Sequence, residues 1–135
     1  MLQVIELLEA TQQFEKKLNL ALMYSGLRMP QFRVMLFLKR SGKITVSDLS
    51  RHLNVTRATM SVLVKQLVKA NIVDCISNAN DKRSFYIVLS ESGGKRLQLA
   101  ETEAKLVAEK ISSKLPEEMI QALNEFTRLS FSSKK

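Results

Sequence analysis

Only three residues, Asn54-Val55-Thr56, separate two segments that each open with a helix-starting signature, and so short a connection forces the second helix across the first at a steep angle. In the first segment, Thr45-Val46-Ser47-Asp48 fits the [ST]-x-x-[DE] start pattern, and Ile44 and Leu49 can staple around the Thr45 cap. A short helix over about Val46 to Leu53 is expected. In the second, Thr56 is positioned to accept from the orphan amides of the first turn, with Val55 packing on Met60. Stepping about 100° per residue from Arg57 gathers Met60, Leu63, Val64 and Leu67 on one side, with Ala70 at its border. The opposite side collects Ala58, Ser61, Val62, Lys65 and Lys69, with Arg57 at its edge. Asn71 then stands where a helix commonly stops in a left-handed conformation.

Two runs rich in β-branched and aromatic residues follow, Ile72 to Ser77 and Ser84 to Leu89, around the polar segment Asn78-Ala79-Asn80-Asp81-Lys82-Arg83. They read as a hairpin with a cationic tip. An isolated helical pair belongs to many unrelated cores, and an isolated Lys-Arg pair is usually a solvated turn. Placed directly behind a helix with small residues near its N-terminus and long cations further along, the hairpin becomes the wing of a DNA-binding unit. Small side chains let that helix sink into a groove, and cations meet phosphates.

The run LSRHLNVTRATMSVLVKQLVKANIV followed by DKRSFYIVLSESGGK is similar to the MarR (multiple-antibiotic-resistance regulator) family of winged-helix transcription factors. That family's wing carries an Asp-x-Arg motif, matched by Asp81 and Arg83, and then a Leu-[ST]-x-x-Gly start of a long helix, matched by Leu89-Ser90-Glu91-Ser92-Gly93. Residues 30 to 38 look like its second helix, so the resemblance spans essentially the whole chain. Asn71 is a departure, since relatives usually carry Gly there; Asn tolerates the same geometry. The resemblance implies a mainly α fold with a small two- to three-stranded antiparallel β-wing, a winged helix-turn-helix flanked by N- and C-terminal dimerisation helices.

On this reading Arg57, Ala58, Ser61, Val62 and Lys65 approach the major groove, while Thr45, Ser47, Thr56 and Thr59 donate to backbone phosphates. Asp81 orients Arg83, as the family motif implies, and Arg83 enters the minor groove with Lys82 beside it. The formal charge of +8 favours an anionic partner, and residues 28 to 43 hold five basic and no acidic side chains. Arg28, Arg33, Lys39, Arg40 and Lys43 equally suit a plain solvated surface. Glu6 and Glu9 interrupt the N-terminal apolar residues, and no apolar stretch approaches the roughly 20 residues that cross a bilayer, so a cytoplasmic protein without membrane contact is expected.

Both ends of the chain read as amphipathic helices. Leu2, Ile5, Leu8, Phe14, Leu18 and Leu22 recur at helical spacing, as do Leu97, Ala100, Ala104, Leu106, Val107 and Ile111 within Gly93 to Ser113. Pro116 can open a last helix with Glu117 and Glu118 against its dipole and Met119, Ile120, Leu123, Phe126 and Leu129 as its stripe. One reading unit contacts few base pairs, so a homodimer on an inverted repeat is expected. The chain then divides into 1–27 and 93–135 for dimerisation and 28–92 for DNA.

Family members bind small aromatic or amphipathic effectors between the dimer helices and the winged domain. Phe14, Met23, Tyr24, Phe32 and Phe37 are the side chains that position places nearest such a crevice, although these residue types at helical spacing are most often core. The lone Cys75 reads as a small buried hydrophobe within a strand, and the family's oxidation-sensing branch carries its cysteine near the first helix, where this chain has none. One Cys and one His are too few for a metal-sensing site, and no cofactor is implied. Asp48 and His52 at i, i+4 lack the nucleophile elbow or oxyanion loop of a hydrolase, so His52 reads as a surface residue or phosphate contact and no catalysis is expected. The combined expectation is a DNA-binding transcriptional regulator, a repressor released by an effector; the alternative is a winged-helix module that docks proteins and never touches nucleic acid.

Overall fold

The computed structural model describes residues 4–81 and 83–132. Helix α1 (Val4–Leu22) runs into a 3₁₀ turn (Met23–Ser25), followed by α2 (Met29–Ser41), strand β1 (Lys43–Thr45), α3 (Val46–His52) and α4 (Arg57–Lys69). Strands β2 (Val73–Ser77) and β3 (Phe85–Leu89) lead to the long α5 (Glu91–Ser112) and to α6 (Glu117–Ser132). The sheet has three strands in the order β1-β3-β2, all antiparallel, with Ile44 opposite Ile87 and Cys75 opposite Ile87 from the other side. Lys43-Ile44-Thr45 is too short to announce itself as a strand, and Ile44 looked like a staple residue because a single apolar position has no period. The mainly α winged helix-turn-helix architecture stands as expected.

A single core joins the elements from the end of α1 to the first half of α5. It comprises Leu22, Leu27, Phe32, Val34, Met35, Leu38, Ile44, Val46, Leu49, Met60, Val64, Leu67, Ile72, Val73, Ile87, Leu97 and Ala100. Arg96 on α5 fastens the turn after α1: its Nη2 donates to the Ser25 carbonyl at 2.9 Å and to the Gly26 carbonyl at 3.2 Å. Gly26 supplies the left-handed conformation there, with φ of 73°. Lys39 on α2 reaches Glu101 on α5 at 2.9 Å.

The junction between β3 and α5 explains the Leu-Ser-x-x-Gly pattern physically. Ser90 caps α5 by accepting from the Gly93 amide at 2.9 Å, and its hydroxyl contacts the Asn71 carbonyl at 2.6 Å. Ser92 donates to the same carbonyl at 2.8 Å. Helix α5 thereby starts at Glu91, two residues before Gly93, and presses onto Ile72 in the turn between α4 and β2. A Cβ on Gly93 would lie 2.0 Å from the Ile72 carbonyl oxygen, so only glycine permits this approach. Among the described residues no helix is long and apolar enough to cross a membrane.

Candidate nucleic-acid interface

Helix α4 begins where Thr56 accepts from the Thr59 amide at 3.1 Å, and its hydroxyl donates to Thr59 Oγ1 at 2.9 Å. The Thr59 hydrogen is thereby left for an outside acceptor. Asn54, with φ of 58°, turns the chain between α3 and α4, and Asn71, with φ of 60°, ends the turn after α4 in the left-handed conformation anticipated for it. Met60, Val64 and Leu67 are buried and Leu63 is half-buried, while Ala70 is exposed beyond the last turn. Away from the core, Arg57, Ala58, Val62, Lys65, Gln66 and Lys69 are exposed and Ser61 is half-buried. Gln66 went unnoticed in the sequence. Its signal was available, since it stands four residues after Val62 on the same side, and an amide can pair both donor and acceptor with an adenine edge.

The lower helix contributes its start. Thr45 caps α3 by accepting from the Asp48 amide at 3.2 Å, which leaves its hydroxyl hydrogen available, and both Thr45 and Ser47 are half-buried. Asp48 is ion-paired with Arg51 one turn on. His52 is exposed and packs on Phe37, ring centroids 5.0 Å apart.

The wing tip is ordered by its own polar side chains. Asn78 Oδ1 accepts from the Asn80 amide at 3.0 Å, and Asn78 Nδ2 donates to Ser84 Oγ at 3.1 Å. Asp81 Oδ1 accepts from the Arg83 amide at 2.9 Å and, more weakly, from Arg83 Nε at 3.4 Å. This Asx-type turn fixes the base of Arg83 while its side chain stays 92% exposed. Lys82 lies outside the described residues. On the far side of the sheet Lys43 sits 4.6 Å over the Tyr86 ring, holding a cation against β3.

The five residues proposed for an effector crevice do not converge. Phe14 and Phe32 line one cleft of about 490 Å³ between α1, α2 and α5, with Leu18, Leu36, Lys39 and Lys105. Met23 and Tyr24 line a separate one of about 620 Å³ with Leu20, Leu106 and Lys110, and Tyr24 is 82% exposed. Phe37 belongs to neither and meets His52 instead. Cys75 corrects another expectation, because it is exposed. Its place inside a strand next to Ile76 suggested a buried position, but only Val73, at the base of β2, reaches the core. The partial cover of the sheet, and then the Asp74 carboxylate, push the Cys75 thiol above its ordinary pKa, which disfavours the reactive thiolate.

A sequence profile described as MarR family matches residues 25–84. The fold is similar to that of a mutant of MarR from E. coli complexed with operator DNA, at 19% identity over 92% of this chain and 89% of that one, with a TM-score of 0.83. AbsC, a MarR family transcriptional regulator from Streptomyces coelicolor, is 19% identical over 99% of this chain and 97% of its own, with a TM-score of 0.82. The YusO protein from Bacillus subtilis is 21% identical over 93% and 90%, with a TM-score of 0.71. No curated protein matches the sequence.

Proposed function

We propose that the chain is a member of the MarR family, whose profile matches residues 25–84, and that it is a homodimeric, sequence-specific DNA-binding transcriptional repressor acting on an inverted-repeat operator. The observation that carries this reading is the two-sidedness of α4: Met60, Val64 and Leu67 are sealed in the core, while the opposite side offers small residues followed by Lys65 and Lys69 to solvent. A docking module would favour a broad apolar patch in that place. The E. coli relative in complex with operator DNA shares the fold.

In this proposal Arg57, Ala58, Ser61, Val62 and Lys65 enter the major groove, joined by Gln66. Thr45, Ser47, Thr56 and Thr59 approach phosphates, and Asp81 steadies Arg83, with Lys82 beside it, for the minor groove. Residues 28–92 form the DNA-binding unit. Residues 1–27 and 93–135 pair two copies so that the reading helices meet half-sites roughly 34 Å apart. A small aromatic or amphipathic effector in the Phe14–Phe32 cleft, next to the cations Lys39 and Lys105, changes that spacing. By linkage, a ligand that prefers the non-binding spacing weakens DNA affinity, and DNA weakens the ligand's.

Selection of bound sequences from a random duplex pool by the purified protein tests the proposal. Enrichment of an inverted repeat is expected. An unenriched pool at low salt overturns it in favour of protein docking.

A further inference from the structure

Val62 stands out among the side chains of α4 because nothing in the fold uses it. It is 58% exposed, the most exposed large hydrophobic residue on that helix. By helical stepping it points within about 20° of the direction opposite the buried Met60, Val64 and Leu67. A β-branched residue at an exposed helical position has lower helix propensity than alanine, so local folding does not explain it. Its setting is specific. Ala58 lies one turn before it and Gln66 one turn after, with Lys65 beside it. A helical side chain leans over the turn N-terminal to its own Cα, and Ala58, being short, leaves that space open.

We propose that Val62 is a specificity-determining residue that recognises the 5-methyl group of a thymine in the major groove of each half-site. The inference rests on the DNA-binding reading above and adds to it the chemistry of one base position. Valine offers neither donor nor acceptor, and the thymine methyl is the one apolar group on the major-groove edges. Discrimination works from both directions. Methyl against methyl removes apolar surface from water, whereas the cytosine amino group or the guanine N7 and O6 facing Val62 would lose water without gaining a partner. In a helix the valine side chain holds one strongly preferred rotamer, so little freedom is lost on contact. Ala58 is too short to make the same contact without the helix backbone moving closer.

The test starts from a duplex enriched in the selection experiment and replaces its thymines one at a time by deoxyuridine, which removes only the 5-methyl group. At one thymine per half-site, binding should weaken about fourfold, and about fifteenfold when both half-sites are replaced. In Val62→Ala the parent duplex should bind more weakly, and the deoxyuridine penalty at that position should vanish while penalties elsewhere persist. Alanine at an exposed helical site does not threaten folding, which a thermal melt by circular dichroism verifies. If the thymine duplex binds tightly and no deoxyuridine position matters, this inference falls and the regulator reading survives. If the penalty is as large in Val62→Ala as in the parent, another side chain reads the methyl and Val62 is wrongly assigned. If no duplex is bound at all, both readings fall together.

Discussion

The winged half and the terminal helices use the same hydrophobic grammar and end in opposite states. Along α4, residues three and four apart are sealed against α2, α3 and the sheet, and the core draws its members from the end of α1 to Ala100. Along α1 the same spacing leaves Ile5 67% and Leu8 56% exposed, and Phe14, Leu20, Leu99 and Leu106 are also exposed. Among the described residues, no core member comes from α6. A helical stripe therefore states that a face will be buried without stating against what. In the winged half the covering element is in the same chain; for the terminal helices it is the second copy proposed above. The side chains of Leu2, Met119, Phe126 and Leu129, which belong to the expected stripes, lie outside the described residues.

Breaking the winged half should have the largest effect. Gly93→Ala sets a Cβ against the Ile72 carbonyl and must push α5 off the turn that leads from α4 into β2, so a loss of about 3 kcal/mol or more is expected in denaturant unfolding. Gly94 next to it has nothing within 4 Å of a built Cβ. Gly94→Ala should therefore leave stability unchanged or raise it by about 0.5–1 kcal/mol. Equal effects at the two positions would mean that the close approach of α5 does not hold the wing's base.

The terminal helices should respond differently. The double variant Ile5→Glu, Leu8→Glu places charges on already exposed positions and should leave the unfolding of the winged core nearly intact. It should raise the dimer dissociation constant by about a hundredfold, read by sedimentation equilibrium. Operator affinity should fall with it, because half-sites are no longer engaged together. A variant that dimerises like the parent would show that these exposed faces serve something other than the second copy.

Legibility in the sequence followed the range of the interaction. Caps and stops depend on residues within one turn, and Thr45, Thr56 and Asn71 all do what their positions announced, whereas Ser90, visible only as part of the family motif, caps a helix that starts two residues before the Gly93 expected for it. The two hairpin strands were visible as patterned runs, each starting one residue later than expected at the point where the sheet pairing begins. Long-range placement was not visible. Nothing local says that β1 joins β3, that β2 overhangs the core far enough to expose Cys75, or that Phe14 with Phe32 and Met23 with Tyr24 separate onto different sides of α5. The last of these depends on how α1 crosses α5, and helical periodicity carries no information about a crossing. Gln66 escaped for a different reason, since a lone amide on a helix has no motif around it.

The smallest expected effect sharpens the comparison inside the winged half itself, between a helix that reads and a tip that grips. Arg83 reaches solvent from a turn whose geometry Asp81 supplies, so Arg83→Ala removes a cation without disturbing the hairpin. Binding should weaken about five- to tenfold at roughly 0.1 M salt, and the logarithmic salt dependence should flatten by about 2 for a dimer, one released counterion per half-site. Sequence preference should stay as it was, in contrast to Val62→Ala. Arg83→Lys separates charge from shape: it should restore the slope but only part of the affinity, because an ammonium lacks the planar fork that fits a narrow groove. Labelled-duplex titrations at four salt concentrations measure all three quantities. An unchanged slope for Arg83→Ala would remove the wing from the interface and leave α4 and the phosphate-facing threonines to account for binding alone.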